Sequence, residues 1–239
     1  MPTAGSTRLG TKALNAASIR FAGVSPAQVE LRLKVQHELL PRVTMQPPAV
    51  TSVPPWSLRL RAELNAADTR ARALAKGLTI PQLNWNPRPE SWSVGQCLEH
   101  LCITNEIYIE SIAGCFDRHP TGPVNEITPG WFARWIIRTY VEPTTPEKRA
   151  RAPMKIMPRA QHLECAIVDR FLAGNARIGD LIARAEAYDV NRVRFKYPFV
   201  PLVRFTVGSA LQIIVRHNHR HLMQAERVKR LSGFPRSAA

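Results

Sequence analysis

Seven histidines occur in the 239-residue sequence, and three of them fall within six consecutive positions, Arg216-His217-Asn218-His219-Arg220-His221. On an α-helix successive residues turn by about 100°, so His217 and His221 project from one face with Cβ atoms roughly 6 Å apart. His219 points away from them. The apolar residues Ala210, Ile214, Ala225 and Val228 mark the inward face, and His217 and His221 share it. Two imidazoles one turn apart suit ligation of a single cation; the alternative is a pair of rings that each hydrogen-bond a neighbour. A third ligand would decide between them. His100 is the candidate, because Cys97, Leu101 and Thr104 put it on or beside the inward side of its own helix. A lone inward histidine is usually an ordinary core residue. Three buried rings without partners would be costly, however, and a shared divalent ion would satisfy all of them. His219 is expected in solvent, and His37, His119 and His162, at loop or end positions, on the surface.

Other chemistry is sparse. The sequence has no G-x-S-x-G elbow, no H-E-x-x-H, no phosphate-binding loop and no dinucleotide motif. Cys97 lies one turn before His100 and reads as a small core residue rather than a ligand. Glu99 and Glu106 are the nearest candidates for a general base, but helical phase puts neither squarely inside. Glu99 is expected as a solvated surface carboxylate. Gln224, one turn beyond His221, is placed to orient a ring or a ligand.

The elements that must position these residues are helical. Residues 56–77 carry Leu60, Leu64, Ala67, Ala71 and Leu74 at three- and four-residue steps and end at Gly77. The loop from Thr79 to Trp92 contains Pro81, Pro87 and Pro89 and is expected to exclude helix. Ser93-Val94-Gly95-Gln96 forms an S-x-x-Q capping box that opens a second helix running to about Cys115. Residues 117–160 are broken by prolines, with a short helix over Trp131–Thr139. A third helix is expected over 161–187. After a partly extended loop at 188–205, Thr206 caps a fourth that runs to about Leu231. Four long amphipathic segments with irregular connections imply an all-α four-helix bundle over 56–232. Residues 233–239 read as a C-terminal tail.

Residues 1–55 differ from the body. The first 29 contain no acidic residue, a short helix fits 26–40, and Pro41, Pro47, Pro48, Pro54 and Pro55 exclude regular structure after it. The segment reads as a flexible N-terminal extension, with Met45 as an alternative start. Four cysteines without a C-x-x-C pair fit reduced thiols in a cytoplasmic protein. No apolar run approaches the ~18 residues of a membrane span, so no membrane partner is expected. The chain holds 33 Lys and Arg against 18 Asp and Glu, a net charge of +15. That excess is spread over the chain without a continuous basic run, which gives nucleic-acid binding no specific support.

Two stretches carry a resemblance. Trp92-Ser93-Val94-Gly95-Gln96-Cys97-Leu98-Glu99-His100-Leu101, taken with His217-Asn218-His219-Arg220-His221-Leu222-Met223-Gln224-Ala225, resembles the DinB-like superfamily in its DinB/YfiT metal-binding branch. The likeness extends over roughly 56–231, including the loops QLNWNPRPESWS and YPFVPLVRFTVG. It implies an up-down-down-up four-helix bundle. It also implies a metal held by one histidine of the second helix and two of the fourth, which map onto His100, His217 and His221. The reactions implied are transfer of a low-molecular-weight thiol to a small electrophilic substrate, or metal-assisted hydrolysis. The ion would be Zn, Ni, Fe or Mn, and bundle packing would allow a homodimer. The alternative expectation is a non-catalytic metal-binding stress-response bundle, and a nucleic-acid-binding protein ranks below it. The long N-terminus and the 117–160 insertion depart from the family pattern and are expected to reshape the pocket mouth.

Overall fold

The structure, a computed structural model, describes residues 52–119, 122–142 and 152–235. The expectations for residues 1–51, including the helix over 26–40 and His37, lie outside the described residues. Helix α1 (Pro55–Ala75) starts with proline in its first turn, where a missing N–H breaks no helical bond. It buries Trp56, Leu60, Leu64, Ala67, Ala71 and Leu74. Gly77, at φ +72°, takes the left-handed turn that follows.

Helix α2 (Ile80–Asn84) falls in the loop expected to exclude helix. Pro81 sits in the first turn, so it costs no hydrogen bond, and Thr79 and Gln82 cap each other reciprocally at 3.4 and 2.9 Å. The capping box that opens helix α3 (Val94–Ala113) forms as expected, between Ser93 and Gln96 at 3.1 and 3.0 Å. Helix α4 (Trp131–Ile136) passes directly into a π-helical turn over Ile137–Val141. Short 3₁₀ turns occupy Phe116–Arg118 and Met154–Ile156.

Helix α5 (Ile167–Ala185) begins six residues later than the expected 161. The reason is local. Asn84 takes the Leu163 N–H and donates to its carbonyl, both at 2.8 Å, which diverts the groups a helix there would use. The 188–205 loop contains an antiparallel hairpin of β1 (Arg194–Lys196) and β2 (Arg204–Thr206), with Phe195 opposite Phe205. Thr206 then caps helix α6 (Val207–Lys229). The first amides of α6 are satisfied from outside: Val207 and Gly208 donate to the carbonyls of Val193 and Val190, each at 2.8 Å. A Cβ on Gly208 would stand 3.1 Å from that Val190 oxygen, so this close approach requires glycine.

Helices α1 and α3 each pack against α5 and α6. The polar contacts give their directions. Ser57, at the start of α1, donates to Glu186 just past the end of α5 at 2.5 Å, so these two helices are antiparallel. Lys229, at the end of α6, donates to the Leu74 carbonyl at the end of α1 at 2.6 Å, so those two are parallel. Arg184, near the end of α5, reaches the Ala113 carbonyl at the end of α3 at 2.8 Å. Helices α1, α3, α5 and α6 therefore run up, down, down and up, as the resemblance implies.

Among the described residues the core forms two apolar clusters. One gathers around Trp56, Tyr108, Ile178 and Leu211, the other around Ala71, Leu74, Leu98, Phe171 and Leu222. Where the two meet along the helices, each bundle helix contributes one polar residue: Asp68, Asn105, Asn175 and Asn218. Asn175 donates to Asp68 at 2.6 Å and accepts from Asn218 at 2.9 Å and Asn105 at 3.3 Å. Among the described residues, no helix is long and apolar enough to cross a membrane.

Candidate metal centre

Helix α3 delivers His100 two turns from its capped start, and α6 delivers His217 and His221 one turn apart. The structure brings the three rings to one place. A ligand nitrogen from each lies within 4.8 Å of the others, and the ring centroids are 4.5 to 5.0 Å apart. His100 is buried at 1% exposure, while His217 keeps partial exposure. Trp92, just ahead of the α3 cap, lies against His100 and His221 at centroid distances of 4.7 and 5.6 Å and covers one side.

Hydrogen bonds fix which nitrogen carries the proton. His100 Nδ1 lies 2.6 Å from the Ile156 carbonyl, which can only accept, so Nδ1 is the donor and Nε2 keeps its lone pair. His221 Nδ1 meets Gln224 Oε1 at 2.8 Å with the same consequence. His100 Nε2 and His217 Nε2 stand 3.2 Å apart. Two nitrogens each about 2.1 Å from a tetrahedral ion would be about 3.4 Å apart. His217 Nδ1 is buried and has no hydrogen-bond partner among the described residues. Since His100 Nε2 is bare, the His217 proton sits on Nε2 and points at it across the 3.2 Å contact, and an ion bound by the trio would replace that proton. This donor set fits a divalent ion.

The electrostatics agree. Burial lowers the His100 pKa to about 4, against the bond to Ile156 that raises it. Burial also holds His217 well below the ordinary imidazole value, helped by His221, His100 and the guanidinium of Arg220. His221 is held well below it by burial and by His100, against the Gln224 bond. Neutral imidazole is the form that ligates metal.

Several other expectations are met. Cys97 is buried at 1% exposure, a core residue. Burial raises the neighbouring Cys102 thiol to about 11, which keeps it protonated. Gln224 orients a ring. Glu106 pairs with Arg177 on the surface of the bundle. His162 is exposed and pairs with Glu164 at 3.2 Å, and His119 is partly exposed after a 3₁₀ turn.

Two expectations are corrected. Glu99 is not solvated: it is 6% exposed, and its carboxylate accepts the backbone N–H groups of Arg159 and Ala160 at 3.1 to 3.2 Å. Helical phase around the bundle missed this, because the covering segment is a loop. His219 is half-buried rather than in solvent. It faces Glu63 and Arg70 of α1, and burial lowers its pKa. The Ile156 carbonyl was also invisible in the sequence, since a backbone oxygen leaves no side-chain signal.

The DinB superfamily model matches residues 63–225. A solved structure, YfiT from Bacillus subtilis, described as a probable metal-dependent hydrolase with an unusual four-helix bundle topology, aligns with a TM-score of 0.49 and 16% identity. The alignment covers 75% of this chain and 89% of that one. No curated protein matches. With more than half of its length matched by the family model, the chain belongs to the DinB superfamily.

Proposed function

We propose that His100, His217 and His221 hold a divalent metal ion and that the protein is a metal-dependent enzyme acting on a small electrophilic substrate, by hydrolysis or by transfer of a low-molecular-weight thiol. The observation that carries this reading is the convergence of three neutral imidazoles, two of them held by hydrogen bonds in the tautomer that leaves Nε2 bare. Three protein ligands leave a coordination position open, the pattern of catalytic rather than structural sites. When bound, such an ion supplies a Lewis acid that brings a water or thiol toward ionisation near neutral pH.

The chain's own residues would do the rest. Ile156 and Gln224 orient two of the ligands, and Trp92 keeps water from one side of the rings. Arg220, 7% exposed and close enough to depress both His217 and His221, adds positive charge that favours an anionic substrate or thiol carrier. The native ion among Zn, Ni, Fe and Mn would follow supply as much as ligand type.

A non-catalytic metal-binding role is the second reading. It is favoured by the engagement of both candidate carboxylates, Glu99 by backbone amides and Glu106 by Arg177 on the bundle surface, which leaves neither as a base. Elemental analysis of the purified protein, followed by assays with chlorodinitrobenzene or monochlorobimane and several thiols, and with hydrolysable esters, tests both. Metal-dependent turnover in either assay supports the enzyme. Bound metal with no turnover supports the second reading, and absence of metal removes both.

A further inference from the structure

The loop of residues 153–160 crosses the start of α3 and meets it at two points. Its Ile156 carbonyl accepts from His100 Nδ1 at 2.6 Å. Three to four residues later, the Arg159 and Ala160 amides donate to Glu99, the residue next to His100. The Ile156 side chain is itself buried at 6% exposure. Apart from local bonds within the 3₁₀ turn, at 3.0 and 3.4 Å, no backbone bond of the loop among the described residues aims that carbonyl at the imidazole.

Burying a carboxylate is expensive unless its oxygens are served by donors. Here two amides of one loop serve it, so the carboxylate and the loop hold each other. Both oxygens are occupied, which argues against a role as a proton acceptor for substrate. We propose that Glu99 is a positioning residue: by clamping residues 159–160 it keeps the Ile156 carbonyl on His100 Nδ1, and so fixes the tautomer and direction of the His100 Nε2 lone pair. The consequence for metal affinity rests on the function proposed above; the consequence for the tautomer does not.

The test uses the full chain. Nitrogen-15 NMR of the metal-free protein at pH 7.5 reads the His100 tautomer directly, and competition with a chelator reads zinc affinity. In the parent protein His100 carries its proton on Nδ1. Glu99→Ala releases the loop, moves His100 toward a mixture of tautomers, and weakens zinc binding 10- to 100-fold, roughly the range for loss of a group that orients a ligand. Glu99→Gln keeps one acceptor oxygen and falls between. Glu106→Ala, which breaks only a surface ion pair, changes neither readout.

If Glu99→Ala does not fold, Ala160→Pro deletes one of the two donors from the loop side and carries the test, with a smaller shift in the same direction. A purely structural role would lower stability while leaving His100 protonated on Nδ1. That result, with zinc affinity within twofold of the parent protein, overturns the proposal. If the parent protein takes up no zinc, the proposed function fails, and the tautomer measurement still decides the role of Glu99.

Discussion

A histidine on an inward helical face acquires meaning from what holds its second nitrogen. His100 and His221 are each tied at Nδ1, to a carbonyl and to an amide oxygen, and His217 has no such tie among the described residues. Replacing His217 or His221 with Ala should abolish stoichiometric zinc uptake, measured by equilibrium dialysis, whereas His219→Ala, on the α1-facing side, should retain it. Equal loss from all three would mean that the two rings of α6 do not act together. Gln224→Ala should keep the three ligands but weaken zinc binding about tenfold, because His221 is no longer held in one tautomer. That the three histidines come together was legible in the sequence: helical periodicity brings residues 217 and 221 to one face, and the neighbours Cys97, Leu101 and Thr104 put His100 on the inward side of its own helix. Glu99 was misread by the same logic. Periodicity reports which face meets the bundle, and says nothing of a loop that folds over the opposite side.

At the scale of the elements, caps were the most readable feature. Ser93 with Gln96, and Thr206, start their helices where the residue types place them. Starts fixed by distant partners were not readable: no local signal in residues 161–166 announces that Asn84 will take both backbone groups of Leu163. The polar residues between the two core clusters were equally hidden, since a single Asn in a helix reads as a surface position. Asn175 is fully buried and bonds to Asp68, Asn105 and Asn218, one residue from each of the other three bundle helices. Asn175→Ala would strip partners from three groups at once. At about 1 kcal/mol or more for each, the loss should be roughly 3 kcal/mol in urea unfolding. Gly95→Ala belongs to the same scale. Its Cβ would stand 2.9 Å from a Leu163 methyl and 3.1 Å from the Leu83 carbonyl oxygen, where α2 and the 163 turn close on the start of α3. Overpacking of this kind should cost about 1–3 kcal/mol, although alanine is the better helix former.

For the whole molecule, three neutral histidines enclosed by the fold make stability depend on pH in a definite direction. In the unfolded chain an imidazole titrates near 6.5, while in the fold His100 titrates near 4 and the other two well below 6.5. Between those values the unfolded state takes up protons that the folded state refuses. The contribution is therefore intact above about pH 6.5 and is lost as pH falls through the folded values. For His100 alone, lowering the pH from 7.5 to 5 should cost about 2 kcal/mol. The ion pair of Arg70 with Glu226 titrates lower: its hydrogen bond holds the Glu226 carboxyl below the ordinary 4.5, so its contribution disappears only beneath that value. The span from pH 6.5 to 4.5 thus belongs to the histidines. Urea unfolding of the metal-free chain across this span should show stability falling steadily. A variant with Gln at 100, 217 and 221 should show a much flatter profile over the same range. Saturating zinc should raise stability at pH 7.5 by about 2.7 kcal/mol for a free concentration one hundred times Kd, and this gain should shrink as protons compete for the same lone pairs. A flat profile in the metal-free parent protein would show that the rings are hydrated rather than enclosed and neutral, and would remove the electrostatic case for a shared cation.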